Sequence, residues 1–153
     1  MGGAFCPVNV AFCPSKAGKT ANFERGIEKM RGIFVHEKPH GVPYALALVN
    51  GYKLAESRGK DMLSALVGKR VAIIRTAKGN APEVVGYVTI SRKQFCSVGD
   101  FRRLYMYHLV PQGSDFDAHG KGKWLYWVED PEPCTHYVLP VSAVRHGRSW
   151  CEF

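Results

Sequence analysis

The sequence lacks any apolar run long enough to cross a membrane, and it lacks closely spaced cysteine pairs. The longest apolar stretch, residues 44–49, is far shorter than the ~18 residues that a membrane helix needs. Among the five cysteines the nearest pair is Cys6 and Cys13, whereas structural zinc sites favour pairs separated by about two to four residues. An odd cysteine count at irregular spacing is also a poor disulfide framework. We therefore expect reduced thiols in a cytoplasmic protein, with no metal, no cofactor and no membrane association.

Acidic residues are scarce relative to basic ones. The 153 residues include 21 lysines and arginines against 13 aspartates and glutamates, a net charge of +8. Residues 1–76 hold 12 of these basic residues against 5 acidic ones, while residues 77–153 hold 9 against 8. This asymmetry indicates a polyanionic partner, of which nucleic acid is the commonest, although a generally basic surface would give the same charge. A hydrophobic content of 46% argues against disorder.

Hydrophobic periodicity predicts two or three helices, placed early, and five or six strands. Helices are predicted at 21–33, 43–49 and 60–67, and strands at 53–58, 71–76, 84–90, 104–110, 124–129 and 137–140. The elements do not alternate as they do in a parallel α/β protein, so the pattern predicts an α+β fold, a small and mostly antiparallel β-barrel flanked by helices. The polar, glycine-rich loop at 111–123 has the length of loops that often carry function.

One constellation carries chemical information, and it has the form GxKxxExR. Its fixed residues are Gly51, Lys53, Glu56 and Arg58. Pro43 suits the first position of the preceding apolar helix, and Gly51 lets the chain leave that helix in a left-handed conformation. A lysine beside a carboxylate can anchor a phosphate or carbonyl oxygen, and if buried it can act as a general base because burial lowers its pKa. A surface cluster of weak salt bridges is the alternative.

This motif resembles the GxKxxExR signature of the ASCH family, a branch of the PUA-like superfamily. A Pro-Tyr-Ala stretch beginning at Pro43 stands at the matching distance before Lys53, although Val42 replaces the family's usual glutamine. Weaker similarity in the later strands extends the resemblance over residues 33–153. Residues 1–32 are then an N-terminal extension with a helix.

The resemblance implies RNA binding in a basic cleft beside a PUA-like barrel. It also leaves enzymatic function open, since some bacterial members are linked to RNA cleavage and one branch hydrolyses acetylated cytidine. That branch carries threonine where this chain has Glu56, so the same covalent mechanism is not expected here. Lys53 and Glu56 could still activate water or a ribose hydroxyl without a metal. We thus expect an RNA- or nucleotide-binding protein, with a ribonuclease or amidohydrolase as the alternative and a protein-interaction module, docking a partner through residues 1–32, as a third hypothesis.

Basic and aromatic side chains around the motif are predicted to contact RNA. The predicted contacts are Tyr44, Lys53, Arg58, Lys60, Lys69, Arg70 and Arg75. By strand alternation Trp124 and Tyr126 share one face, where an aromatic side chain is more often part of the core than a stacking platform. His146, between Arg145 and Arg148, could also face a phosphate.

Overall fold

The computed structural model describes residues 28–153, in which a seven-stranded sheet carries three short helices. The strands are β1 (Arg31–Glu37), β2 (Ala55–Arg58), β3 (Arg70–Ala77), β4 (Glu83–Cys96), β5 (Lys123–Val138), β6 (Val144–His146) and β7 (Trp150–Glu152). The helices are α1 (Tyr44–Val49), α2 (Val98–Arg103) and α3 (Tyr105–His108), and Ser64–Leu66 forms one turn of 3₁₀ helix. The fold is therefore α+β, as the sequence predicts.

The sheet is mixed and open. The sequence predicts a small, mostly antiparallel barrel, and this prediction is wrong because the sheet does not close on itself. The strand order is β2-β5-β4-β3-β1-β7-β6. β1 pairs with β3 in parallel, and every other neighbouring pair is antiparallel. The two edge strands, of four and three residues, form no ladder with each other within residues 28–153. Such short edges do not extend far enough to complete a barrel.

Two long strands, β4 and β5, pair with each other and exceed their predicted lengths. Pro131 and Pro133 follow the strand predicted at 124–129, but β5 continues through both to Val138. The β4–β5 register shifts at irregularities on either side of Tyr87. Bulges of this kind accommodate prolines, which cannot donate to a regular ladder. The separate strand predicted at 137–140 is accordingly the end of β5.

Two element predictions are wrong in type. Residues 31–33, assigned to the end of a helix, begin β1 and pair with both β3 and β7; residues 21–27 of that helix lie outside the described residues. Residues 104–110 were predicted as a strand, but Tyr105–His108 forms α3. The His108 ring of α3 stacks on the Phe101 ring of α2, with centroids 3.9 Å apart. The helical spacing of these residues therefore determines the local structure, rather than the short alternation of side chains that predicted a strand.

Helix α1 packs its buried side against the centre of the sheet. Its residues Tyr44, Ala45, Ala47, Leu48 and Val49 are all buried. The helix approaches β4 closely at Gly86, where an added Cβ would lie 2.8 Å from the Val49 Cβ and 2.4 Å from the Glu132 carbonyl oxygen. This contact fixes the position of the α1–β2 segment, which carries the motif. None of the helices within residues 28–153 is long and apolar enough to span a membrane.

Candidate functional site

A cleft of about 660 Å³ lies where the α1–β2 segment faces β1, the loop at 111–123 and the chain around β6. Four residues of the sequence prediction line it together: Tyr44, Lys53, Glu56 and Arg58. The volume falls in the range of small-molecule sites, roughly 300–1,000 Å³. The cleft can therefore hold a ligand of about nucleotide size.

Lys53 lies at the base of this cleft because the end of α1 turns sharply. Gly51 has a φ of 79°, in the left-handed region that the sequence predicts for it. The Lys53 backbone N–H then donates to the Ala47 carbonyl over 3.0 Å, which closes the helix end. The side chain runs inward: Lys53 is only 1% exposed, and its Nζ donates to the His108 carbonyl oxygen.

Burial lowers the pKa of Lys53 to about 8, although the nearby Glu56 carboxylate opposes this shift. The Nζ also lies 5.0 Å from the centroid of the Tyr44 ring, a cation–π distance. A lysine amine with this pKa exchanges its proton near neutral pH. It can donate hydrogen bonds when charged and can act as a base when neutral.

Glu56 supplies the negative charge that faces the lysine. The residue is 8% exposed, and its Oε1 lies 3.6 Å from the Arg58 Nε. Its second oxygen, Oε2, is buried and has no hydrogen-bond partner among the described residues. Arg58 also donates from Nη2 to the Phe34 carbonyl over 2.5 Å, while its Nε is buried without a partner. Buried polar groups without partners are uncommon, and here two of them belong to residues that line the cleft.

Lys123 is a second buried lysine of the cleft, and it is absent from the sequence prediction. It begins β5, lines the cleft at 8% exposure and donates from Nζ to the Phe116 carbonyl oxygen. Burial lowers the pKa of Lys123, and Glu56 again opposes the shift. One carboxylate therefore faces Lys53, Arg58 and Lys123. The base of the cleft is positively charged when both lysines are protonated.

Aromatic rings form one wall of the cleft. The Tyr44 ring meets Phe116 edge-to-face with centroids 5.8 Å apart, and Phe116 meets His36 at 6.2 Å. Burial raises the pKa of the Tyr44 hydroxyl, and Glu56 adds to this effect. The hydroxyl therefore stays protonated at neutral pH and can donate a hydrogen bond. Phe116 belongs to the loop at 111–123, for which the sequence analysis predicted a functional position without naming a residue.

Arg145 and Arg148 line the cleft on the side of β6. The Arg145 guanidinium lies 4.5 Å from the centroid of the Phe34 ring, and both arginines are exposed. In the sequence prediction they appear only as neighbours of His146. The signal that could have found them is two arginines within four residues, in the half of the chain whose basic and acidic residues nearly balance.

The remaining predicted phosphate contacts do not line this cleft. Arg70 bonds to Glu132, and Arg75 bonds to Glu83 over 2.5 Å. Lys69 and Arg70 line a different depression beside Arg31. Lys60 is exposed and directly follows the cleft residue Gly59. No group of three or more histidine, cysteine, aspartate or glutamate side chains in residues 28–153 is placed to hold a metal ion.

Comparison with solved structures shows which known proteins share this fold. The chain is similar to the crystal structure of ASCH from Zymomonas mobilis, at 19% identity and a TM-score of 0.53, over 67% of this chain and 69% of that one. Two single-residue variants of the Zymomonas mobilis protein match at the same TM-score, with 20% and 19% identity, over 67% and 71% of this chain and 70% and 76% of theirs. No protein-family model and no curated protein matches the chain. The similarity confirms a β-rich α+β fold of the ASCH type.

Proposed function

We propose that this protein, which has the ASCH fold, binds RNA by taking one nucleotide of a single strand into the cleft around Lys53. The observation that carries the proposal is the charge arrangement. Lys53, Arg58 and Lys123 converge on a nucleotide-sized cleft in which Glu56 is the only carboxylate among the lining residues that the structure describes. Buried and half-buried cations that outnumber their partner in this way favour an anionic ligand.

Each part of a nucleotide has a complementary group in the cleft. The exposed guanidiniums of Arg145 and Arg148 suit a phosphate, which arginine binds in bidentate fashion. The Tyr44 and Phe116 rings offer an apolar wall to a base. Oε2 of Glu56 is an acceptor without a donor among residues 28–153, and base N–H groups are donors. The ligand would thus supply a hydrogen-bond partner to this oxygen.

RNA binding of this kind predicts a strong dependence on salt. Titration of a fluorescent single-stranded RNA should show the logarithm of the affinity falling linearly with the logarithm of the salt concentration. Arg148→Ala should weaken binding severalfold and reduce the magnitude of that slope by about 1. Arg103→Ala is the matched control, because this exposed arginine removes the same charge but does not line the cleft. Salt-independent affinity, or equal effects of both variants, would contradict the proposal.

RNA hydrolysis is a second candidate function, and the chemistry of Lys53 favours it. An amine with a pKa of about 8 can take a proton from water or from a ribose hydroxyl near neutral pH, and Glu56 is within the same cleft to orient the attacking group. Lys53→Ala and Glu56→Gln should then abolish cleavage of labelled RNA, or release of acetate from acetylated cytidine, with the fold retained. Turnover that persists in Lys53→Ala would remove this lysine from the reaction.

A cytoplasmic location and a protein partner for residues 1–32 stay predictions.

A further inference from the structure

An exposed pair of aromatic side chains lies on the sheet beside the cleft. Phe95, near the end of β4, is 54% exposed, and Trp124, near the start of β5, is partly buried. Their rings meet edge-to-face with centroids 5.4 Å apart. A single exposed phenylalanine is ordinary on a protein surface, but here it pairs with a partly buried tryptophan, and the two rings together offer an apolar face to a ligand.

The strand register connects this pair directly to the cleft. Arg58 of β2 stands opposite Trp124 of β5, and Trp124 stands opposite Phe95 of β4. Directly opposed residues of antiparallel strands point to the same face, with Cβ atoms about 4.5–5.5 Å apart. Arg58, Trp124 and Phe95 therefore form one row across three strands. The row begins at a residue that lines the cleft and ends at an exposed ring.

Positive charge accompanies this row. The Lys93 Nζ lies 5.1 Å from the centroid of the Trp124 ring and bonds to Asp61 over 2.6 Å. Lys60 precedes Asp61 and follows the cleft residue Gly59, and it is exposed. Lys60 is thus an exposed lysine whose two sequence neighbours are a cleft residue and the partner of Lys93. Such a lysine suits contact with the phosphate that joins two nucleotides, one in the cleft and one on the rings.

We propose that Phe95 and Trp124 form a second nucleotide subsite, on which the base adjacent to the cleft-bound nucleotide stacks, with Lys60 contacting the linking phosphate. This subsite rests on the proposed RNA binding and extends it from one nucleotide to two. Stacking on an aromatic ring accepts any base because every base has a π-face. The subsite therefore supplies affinity for single-stranded RNA rather than sequence preference.

The experiment compares ligands that occupy one or both subsites. Calorimetric titration should show a dinucleotide with a 3′,5′ phosphodiester binding more tightly than the corresponding nucleoside monophosphate. Phe95→Ala should remove most of that gain, on the order of 5- to 150-fold for one stacked base, and should leave monophosphate affinity unchanged. Phe95→Trp should retain the gain. Lys60→Ala should reduce the gain in a salt-dependent manner.

Tyr107→Ala is the control for the aromatic pair. Tyr107 is also exposed, but it packs on Trp127, with centroids 5.2 Å apart, and Trp127 points to the opposite face of β5 from Trp124. An equal gain in affinity from monophosphate to dinucleotide in wild type and in Phe95→Ala would overturn the second subsite. Loss of that gain in Tyr107→Ala alone would also overturn it. If monophosphates fail to bind at all, the cleft proposal fails instead, so the two failures are distinguishable.

Discussion

At the residue scale, Lys53 combines a functional position with a cost in stability. Its pKa of about 8, against an ordinary 10.5, means that the folded state holds its proton less tightly than the unfolded chain does. Unfolding therefore takes up a proton between pH 8 and 10.5, so this residue makes the protein more stable as the pH rises through that window. Below pH 8 the buried charge is destabilising. The ligand anion that we propose would relieve this cost.

Replacing the charged amine by an apolar side chain should show how much the buried charge of Lys53 lowers the free energy of unfolding. Lys53→Met should raise the free energy of unfolding at pH 7 by about 2 kcal/mol, which is the gain from removing a buried charge reduced by the loss of one hydrogen bond. Urea denaturation at pH 7, 8, 9 and 10 measures it, and the advantage of the variant should shrink as the pH rises. Lys60→Met, at an exposed lysine, should show neither effect. A Lys53→Met protein that is less stable than wild type at every pH would contradict the assignment.

The composition of the cleft shows which residues the sequence could predict. Lys53, Glu56 and Arg58 lie within six residues of each other, and a local motif is enough to group them. Lys123 and Arg148 reach the same cleft from the first residue of β5 and from the chain after β6. Their grouping depends on long-range strand pairing, which periodicity along the chain does not encode.

At the scale of elements, the contact between α1 and β4 determines where the motif stands. Gly86→Ala should place a methyl group against the Glu132 carbonyl oxygen and Val49, so α1 or β5 must shift. We expect a loss of about 2–3 kcal/mol in the free energy of unfolding, as for overpacked cores, together with weaker ligand binding because α1 carries the chain toward Lys53. Thermal or urea denaturation measures the first effect and titration with a nucleotide the second.

A glycine elsewhere provides the control for that substitution. Gly99 is exposed in α2, and the nearest atom to an added Cβ is the end of the Arg103 side chain at 4.0 Å. Gly99→Ala should therefore be neutral or stabilising by up to about 1 kcal/mol. Equal destabilisation by both substitutions would show that the close approach at Gly86 is not the cause.

The elements that the sequence predicted correctly are those whose beginning and end are determined by their own residues. Helix α1 starts after a proline and ends before Asn50 and Gly51, and each of these signals acts locally. Helix α3 was missed because its aromatic residues alternate like those of a strand. Its actual determinant is the spacing of Phe101, Leu104 and His108, which places three residues on one helical face and allows the His108 ring to stack on Phe101.

At the scale of the whole molecule, the basic surplus is distributed differently from the sequence expectation. The first half of the chain contributes Lys53 and Arg58 to the cleft, but Arg70 and Arg75 form ion pairs elsewhere. The weakly charged second half supplies the other cleft cations from β5 and from the chain around β6. The net charge of each half therefore indicated a polyanionic partner but not the location of its contacts, because strands from both halves are intermixed in the sheet.

The predicted boundary between residues 32 and 33 falls inside β1, and truncations can show which part of the N-terminal extension the fold requires. Met30 and Phe153 exchange two backbone hydrogen bonds of 2.9 Å, and Arg31 and Gly32 pair with Glu152 and Cys151. Removing residues 1–32 deletes these bonds and should lower the thermal unfolding midpoint, whereas removing residues 1–27 should not. Because the cleft residues that the structure describes lie between 34 and 148, the shorter truncation should bind a nucleoside monophosphate with wild-type affinity. Weaker binding after removal of 1–27 alone would show that the extension contributes to the site.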